Sequence, residues 1–128
     1  MKNKLDDSNY FWNIITDFLN NYLPNIRRTS TNTIETYRNC LNRFIDYLES
    51  EKNVKRKEIC YQMFSKKNLK EYMVWMNKIK NLASKTCNLR LTAIHSLMEY
   101  GSSEFTDLMG IYVESTKIKG VKLSQNPI

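Results

Sequence analysis

The sequence contains little glycine and proline, with three and two residues among 128. Both residues are common in the turns of many-stranded β proteins, so their scarcity favours long helices over a β-sandwich or barrel. Long apolar runs are also missing. Asp6, Asp7 and Asp17 interrupt the apolar residues near the start, which excludes a signal peptide and a membrane span there. The length fits one ordinary domain, and no repeat of solenoid length is visible.

Cysteine and histidine are scarce, and their positions exclude several kinds of site. Cys40, Cys60 and Cys87 form no CxxC pair, which indicates neither a zinc site nor a disulfide framework. We interpret them as buried thiols of a reducing cytoplasm. The single histidine, His95, lies inside a predicted helix and is interpreted as structural. Since the motifs of phosphate-binding loops, serine hydrolases and zinc proteases are also absent, we predict no cofactor, no metal and no catalytic residue in these residues.

Positive charge is what the sequence has in excess. Twenty Lys and Arg against thirteen Asp and Glu give a net charge of +7 and a pI near 9.3. Such a surplus favours a polyanionic partner, and nucleic acid is the commonest. Charge alone leaves open the alternative of a basic soluble protein without such a partner.

Apolar residues recur at three- and four-residue spacing along most of the chain, which predicts a helical bundle. We expect helices over 8–23, from 30–32 to 51, over 66–80 and from the capping residue Ser84 to 101, with a short fifth helix after Ser102 or Ser103. The predicted core faces include Ile79 on the third helix and Leu89 on the fourth.

The ends of these helices carry their own signals. Pro24 and Gly101 are expected to end the first and fourth helices, and Asn32 with Glu35 is expected to form a capping box. Residues 1–7 are expected to be disordered, and 8–112 to form the helical domain. Residues 113–128 are expected to be a linker or arm towards a further segment.

Two predicted helix starts combine serine, threonine and asparagine with basic residues, "RRTSTNT" and "ASKTCN". First-turn N–H groups lack partners within a helix, and the helix dipole adds partial positive charge, so such a start suits a phosphate. Side chains a turn further on would reach base edges: Thr36, Asn39 and Arg43 on the second helix, and Asn88, Arg90 and Thr92 on the fourth. Ordinary capping with a solvated rim is the alternative.

The predicted DNA-binding residues come from these two starts, the helices behind them and the C-terminal lysines. They are Arg27, Arg28, Ser30, Thr31, Thr33, Thr36, Arg38, Arg43, Ser84, Lys85, Thr86, Asn88, Arg90, Lys117, Lys119 and Lys122.

Four stretches in order carry a family resemblance: "FLNNYL", "STNTIETYRNCLNRFIDYL", "LKEYMVWM" and "SKTCNLRLTAIHSLMEY". The second has a Ser-x-x-Thr start followed by a Tyr-Arg pair, and the fourth has an Asn-x-Arg-Leu-x-x-Ile run ending in Tyr. Over roughly residues 11–100 the chain resembles the core-binding domain of tyrosine recombinases, the phage-integrase and Xer-like enzymes. Residues 52–65 depart from the pattern, because they are lysine-rich and longer than a minimal connector.

The resemblance implies an all-α, four- to five-helix SAM-like orthogonal bundle with an extended C-terminal linker. Such a domain forms half of a C-shaped clamp around duplex DNA, with its second and fourth helices facing the DNA. A separate domain carries the catalytic Arg, Lys and His residues and the Tyr nucleophile. The whole protein would cut and rejoin DNA without metal or nucleotide. The implied partners are double-stranded DNA and other recombinase protomers, and the implied location is the cytoplasm of a bacterial or phage-infected cell.

A helical protein–protein module without DNA binding is the competing hypothesis, supported by the 12% aromatic content. The surroundings of Trp12 and Trp75 distinguish this hypothesis from DNA binding. An exposed tryptophan on an apolar patch favours protein contact, whereas burial of both tryptophans removes the support that the aromatic content gives. A free-standing enzyme has no support in the sequence.

Overall fold

A computed structural model describes residues 3–118 and Gly120. These residues form five α-helices: α1 (Ser8–Asp17), α2 (Thr31–Glu51), α3 (Lys66–Val74), α4 (Ser84–Glu104) and α5 (Met109–Ser115). Two of them continue as π-helical segments, α1 over Phe18–Ile26 and α3 over Trp75–Ile79. Short 3₁₀ turns lie at Lys4–Asp6, Arg56–Glu58, Tyr61–Phe64 and Thr106–Leu108. No strand occurs within the described ranges, and the all-α prediction is confirmed.

Side-chain caps fix where the helices begin. The Ser30 hydroxyl accepts a hydrogen bond from the Thr33 N–H at 3.2 Å, and Ser65 does the same for Asn68 at the start of α3. Two capping predictions are wrong. Ala83, which has no capping side chain, precedes α4, so Ser84 is its first helical residue. Asn32 already lies inside α2, which leaves Glu35 to pair with Arg38 instead of forming a capping box.

The sequence predicted that Pro24 would end the first helix, and this prediction is wrong. The helix runs on to Ile26 as a π-helical segment that contains Pro24, and it tolerates the missing Pro24 N–H at the cost of one backbone hydrogen bond. It ends with hydrogen bonds from the Arg27 N–H to the Tyr22 carbonyl and from the Thr29 N–H to the Leu23 carbonyl. Arg28 between them has a φ of 55°.

The chain enters α2 and α4 through the same backbone geometry. Before α4, the Lys80 N–H bonds to the Trp75 carbonyl and the Leu82 N–H to the Met76 carbonyl, with Asn81 at a φ of 57°. This repeats the pattern before α2, a paired-bond helix end with one left-handed residue. Each left-handed residue lies three positions before the following helix, so the two starts are built alike.

The core lies between α1, α2, α3 and α4. Phe44 is fully buried at its centre, with its ring centroid 4.9 Å from that of Phe64 and 4.8 Å from that of Tyr72. The predicted stripe of α2 is confirmed, but Ile79 and Leu89 are 69% and 43% exposed. Ile79 leaves the core face because the π turn carries it out of the 3.6-residue register.

Gly101 lies inside α4 rather than at its end, and it is buried because the 3₁₀ turns that carry Tyr61 and Leu108 approach there. A Cβ at this position would lie 2.5 Å from Tyr61 Oη and 3.2 Å from Leu108 Cδ1. Tyr61 is itself fully buried and has little room to move. Glycine is therefore required for the close contact with Tyr61, and the helix continues to Glu104.

We expect Gly101→Ala to lower the free energy of unfolding by about 1–2 kcal/mol, because overpacking outweighs the better helix propensity of alanine. Adding Tyr61→Phe removes the clashing oxygen and is expected to restore part of the loss. Gly110→Ala is the matched control, since nothing lies within 4 Å of a Cβ there. Urea denaturation measures all three variants. An unchanged midpoint for Gly101→Ala would contradict the packing described here.

Both chain ends contact the bundle within the described ranges. A 3₁₀ turn forms at Lys4–Asp6, and the Lys4 ammonium lies over the Tyr10 and Phe105 rings. Residue 112, the predicted end of the domain, lies within α5, which extends to the fully buried Ser115. Ile118 is also buried.

Candidate nucleic-acid interface

One side of α2 presents the polar residues predicted to face DNA. Asn39 and Arg43 are exposed, and Thr36 beside them is half-buried with its hydroxyl donating to the Asn32 carbonyl. The Arg43 guanidinium lies 3.8 Å from Asp46 Oδ2, beyond hydrogen-bonding distance. This side of α2 therefore carries the side-chain amide of Asn39 and the Arg43 guanidinium, which no carboxylate holds tightly.

At the start of α2, the loop residues Arg27 and Arg28 and the first-turn Thr31 are exposed, while Ser30 and Thr33 bond each other. Arg38 was predicted to be available to DNA, but its guanidinium already bonds to side chains of the domain. Its Nε lies 3.2 Å from Glu35 Oε1, and one of its terminal nitrogens donates to Asn20 Oδ1 at 3.3 Å. The chain's own carboxylate holds Arg38 against the end of the first helix, so a phosphate must compete with that carboxylate for it.

Arg90 near the start of α4 has different surroundings. Its guanidinium lies 3.8 Å from Met76 Sδ, and within the described ranges it forms no ion pair with a carboxylate. Burial raises the pKa of the neighbouring Tyr72 to about 12, and the Arg90 charge acts in the opposite direction. Arg90 is thus a positive charge held in place by packing rather than by an acidic side chain.

Arg43 and Arg90 line the same cleft between α2 and the start of α4, with a volume of about 260 Å³. We call it the α2–α4 cleft. Its other lining residues are Asp46, Tyr47, Ser50, Trp75, Lys80 and Leu82. Lys80 and Trp75 were not among the predicted site residues. They come from the end of the third helix, where spacing indicated burial for Trp75 and a lysine rim that includes Lys80.

Asn88 and Arg90 do not share a face of α4, which corrects the prediction. Residues two positions apart point in nearly opposite directions on a helix. Arg90 points towards Met76 and the α2–α4 cleft, whereas Asn88 lies beside Gly120, where a Cβ would be 2.6 Å from Asn88 Oδ1. Thr92 and Lys85 are exposed, and Ser84 and Thr86 are half-buried.

The two helix starts are separated by much of the length of α2. The start of α2 lies at the end of the first helix, where the Tyr22 ring packs at a tilt against that of Tyr100 in the second half of α4. The start of α4 instead shares the cleft with residues 43–50 of α2. Arg43 is twelve residues beyond Thr31, or about 18 Å along the helix axis. The two starts would therefore contact different phosphates.

Of the three predicted C-terminal lysines, one lies beside α3, away from the α2–α4 cleft, and two lie outside the described residues. Lys117 forms an ion pair with Glu114 at 2.8 Å and lines a pocket with Lys66 and Lys70 of α3. Lys119 and Lys122 lie outside the residues that the structure describes.

Neither tryptophan is fully buried or fully exposed. The Trp12 Nε1–H donates to the Arg56 carbonyl at 3.2 Å. Trp75 packs its ring 4.9 Å from that of Tyr47, beside the exposed Val74 and Ile79. The structure thus leaves a partly apolar surface around Trp75, which keeps the protein-contact hypothesis open.

His95 is a structural contact between α4 and the end of α5, since its Nε2 lies 3.0 Å from the Ser115 carbonyl. Burial lowers the pKa of His95 below its usual 6.5. The folded state therefore favours neutral His95, so its contribution to stability is full above pH 6.5 and is lost as the pH falls below that value. We expect the urea midpoint of the protein to drop between pH 6.5 and 5, and to drop less in His95→Gln. Equal pH dependence in both proteins would contradict this.

The fold and the site define a class: an all-α domain whose second and fourth helices present Arg43 and Arg90, neither of which any carboxylate of the described residues holds within hydrogen-bonding distance. Residues 15–104 match the family described as phage integrase, N-terminal SAM-like domain. The chain therefore belongs to that family, and the predicted core-binding domain of a tyrosine recombinase and the SAM-like fold are confirmed. Such a domain is the non-catalytic part of these recombinases. Searches of curated proteins and of solved structures returned no significant match.

Two further properties of the described residues bear on partners. None of their helices is both long and apolar enough to cross a membrane. Their His, Cys, Asp and Glu side chains form no cluster of three suited to a metal ion.

Proposed function

We propose that this domain binds duplex DNA as one half of a clamp, while a separate catalytic domain of the same recombinase cuts and rejoins the strands. The observation that carries the proposal is Arg90, a cation without an acidic partner in the described chain, beside Arg43 in the α2–α4 cleft. Family membership supports the same function. In this proposal the domain contributes binding and orientation, and no residue here acts on the scissile phosphate.

The two kinds of side chain have different tasks. Arg27, Arg28 and the first-turn N–H groups of α2 hold backbone phosphates and set the register of the helix on the duplex. Asn39, exposed on the same side of α2 as Arg43, reaches base edges in the major groove. The cytoplasm, where the DNA and the other protomers are found, is the proposed location.

Anisotropy titration of a fluorescein-labelled 20-base-pair duplex at 50 mM salt tests this function. We expect saturable binding, which an unlabelled duplex displaces. Absence of binding at 50 mM salt and at still lower salt would overturn the proposal.

Protein contact is a second candidate function, favoured by one surface. A groove of about 480 Å³ runs between α2 and α3, and the exposed Val74 and Ile79 line it with Trp75 and Tyr47. In a recombinase that assembles on DNA, such a surface is compatible with protomer contact. Sedimentation of the domain with and without duplex tests it: Val74→Ser should reduce any DNA-dependent association without changing duplex affinity.

A further inference from the structure

We propose that the α2–α4 cleft seats one phosphodiester unit of the duplex, with the phosphate among Arg43, Lys80 and Arg90 and its deoxyribose against Trp75. The inference rests on the proposed DNA binding and adds Lys80 and Trp75 to it. Both residues come from the end of the third helix, outside the two helix starts that the sequence emphasised.

Charge favours an anion in this cleft. Three cations and one carboxylate line it, which gives a formal charge of +2. Asp46 is shared between Arg43 and Arg56, at 3.8 Å from each, so it neutralises neither of them closely. Arg56 is instead bonded to Glu49 at 2.9 Å. An incoming phosphate therefore competes with one weakly placed carboxylate.

Two of the three cations, Arg90 and Lys80, are positioned before any ligand arrives. Arg90 packs against Met76, and the Lys80 ammonium lies 5.5 Å from the centre of the Trp75 ring. Trp75 in turn is held by the Tyr47 and Tyr72 rings. Ordered cations lose less side-chain entropy when they bind, which increases affinity for an anion of the right size.

Size and surroundings favour a sugar-phosphate over a bare carboxylate. A volume of about 260 Å³ corresponds to roughly nine waters at about 30 Å³ each, enough for a phosphate with its sugar. The wall formed by Trp75, Tyr47 and Leu82 offers apolar surface to the deoxyribose. Arg43 also belongs to the exposed side of α2 that carries Asn39, so one strand can follow from the cleft onto that side.

The test uses the full chain with Trp12→Phe, which leaves Trp75 as the only tryptophan. Saturation with a 20-base-pair duplex is expected to change the Trp75 emission by at least a fifth. Lys80→Met is expected to weaken duplex binding about fivefold at 100 mM salt, and Lys78→Met, an exposed lysine outside the cleft, less than twofold. Asp46→Asn is expected to tighten binding about threefold, since it removes the competing carboxylate.

The outcomes separate the two proposals. If the chain binds no duplex at low salt, DNA binding itself fails and this inference fails with it. If the chain binds duplex but Lys80→Met and Lys78→Met behave alike and Trp75 emission stays constant, the cleft assignment is overturned while DNA binding stands. Displacement of the duplex by an equally charged glutamate peptide at equal concentration would also overturn it, because the cleft would then favour carboxylates.

Discussion

Raising the salt from 50 to 200 mM is expected to weaken duplex binding roughly 500-fold. The basic residues of the two helix starts and the α2–α4 cleft would neutralise about five phosphates, and each releases condensed counterions from the DNA. The logarithm of the affinity should then fall with a slope of about −4.5 against the logarithm of the salt concentration. Anisotropy titrations at four salt concentrations measure this slope.

A slope near zero would mean that few phosphates are contacted and would contradict an electrostatic interface. A matched control uses Lys67→Met on α3, which lies away from the α2–α4 cleft. This variant should keep the slope within experimental error, because a charge that makes no phosphate contact releases no counterion. A flatter slope for Lys67→Met would move the interface to α3.

The all-α bundle could be predicted from the sequence because amphipathic spacing at 3.6 residues is a local property. The stripe of α2 illustrates this, since Leu41, Phe44 and Leu48 are all buried as expected. The predictions failed where a helix changed its number of residues per turn, or where a segment distant in sequence packed closely against it. Ile79 left the core through a π turn, and Gly101 continued its helix because Tyr61 lies against it.

The candidate site was less accessible to sequence reasoning, because it depends on which carboxylate meets which cation. Arg38 and Arg90 looked equivalent, each a short distance behind a polar helix start. The structure pairs Arg38 with Glu35 and leaves Arg90 packed on Met76. Glu35 lies within one helical turn of Arg38, so that pair was visible as an i,i+3 spacing, whereas the surroundings of Arg90 depend on tertiary contacts.

The α2–α4 cleft shows why its full composition could not be predicted. Its cations come from α2, from the segment after α3 and from α4, and only the crossing of these elements brings them together. The same crossing sets Asn88 apart from Arg90, although the two are close in sequence. A helical projection of α4 would have separated these two residues, but it could not have shown which of them faces α2.

Paired double variants with equal net charge show whether the duplex binds to the cationic side formed by α2 and the start of α4. Arg43→Met with Arg90→Met removes two cleft cations, and Lys67→Met with Lys70→Met removes two cations from α3; each double variant lowers the formal net charge from +7 by two. Methionine keeps an unbranched apolar stem at position 90, while the contact between the Arg90 guanidinium and Met76 Sδ is lost.

We expect the arginine double variant to bind a 20-base-pair duplex about 100-fold more weakly than the parent at 50 mM salt, since each lost charged contact costs about 1.4 kcal/mol. The lysine double variant should stay within about threefold of the parent, because charges beyond the contact region are largely screened. Equal urea midpoints establish that both variants are folded. Equal losses of affinity in the two folded variants would contradict binding at this side, because they would mean that the duplex responds to net charge rather than to this side of the domain.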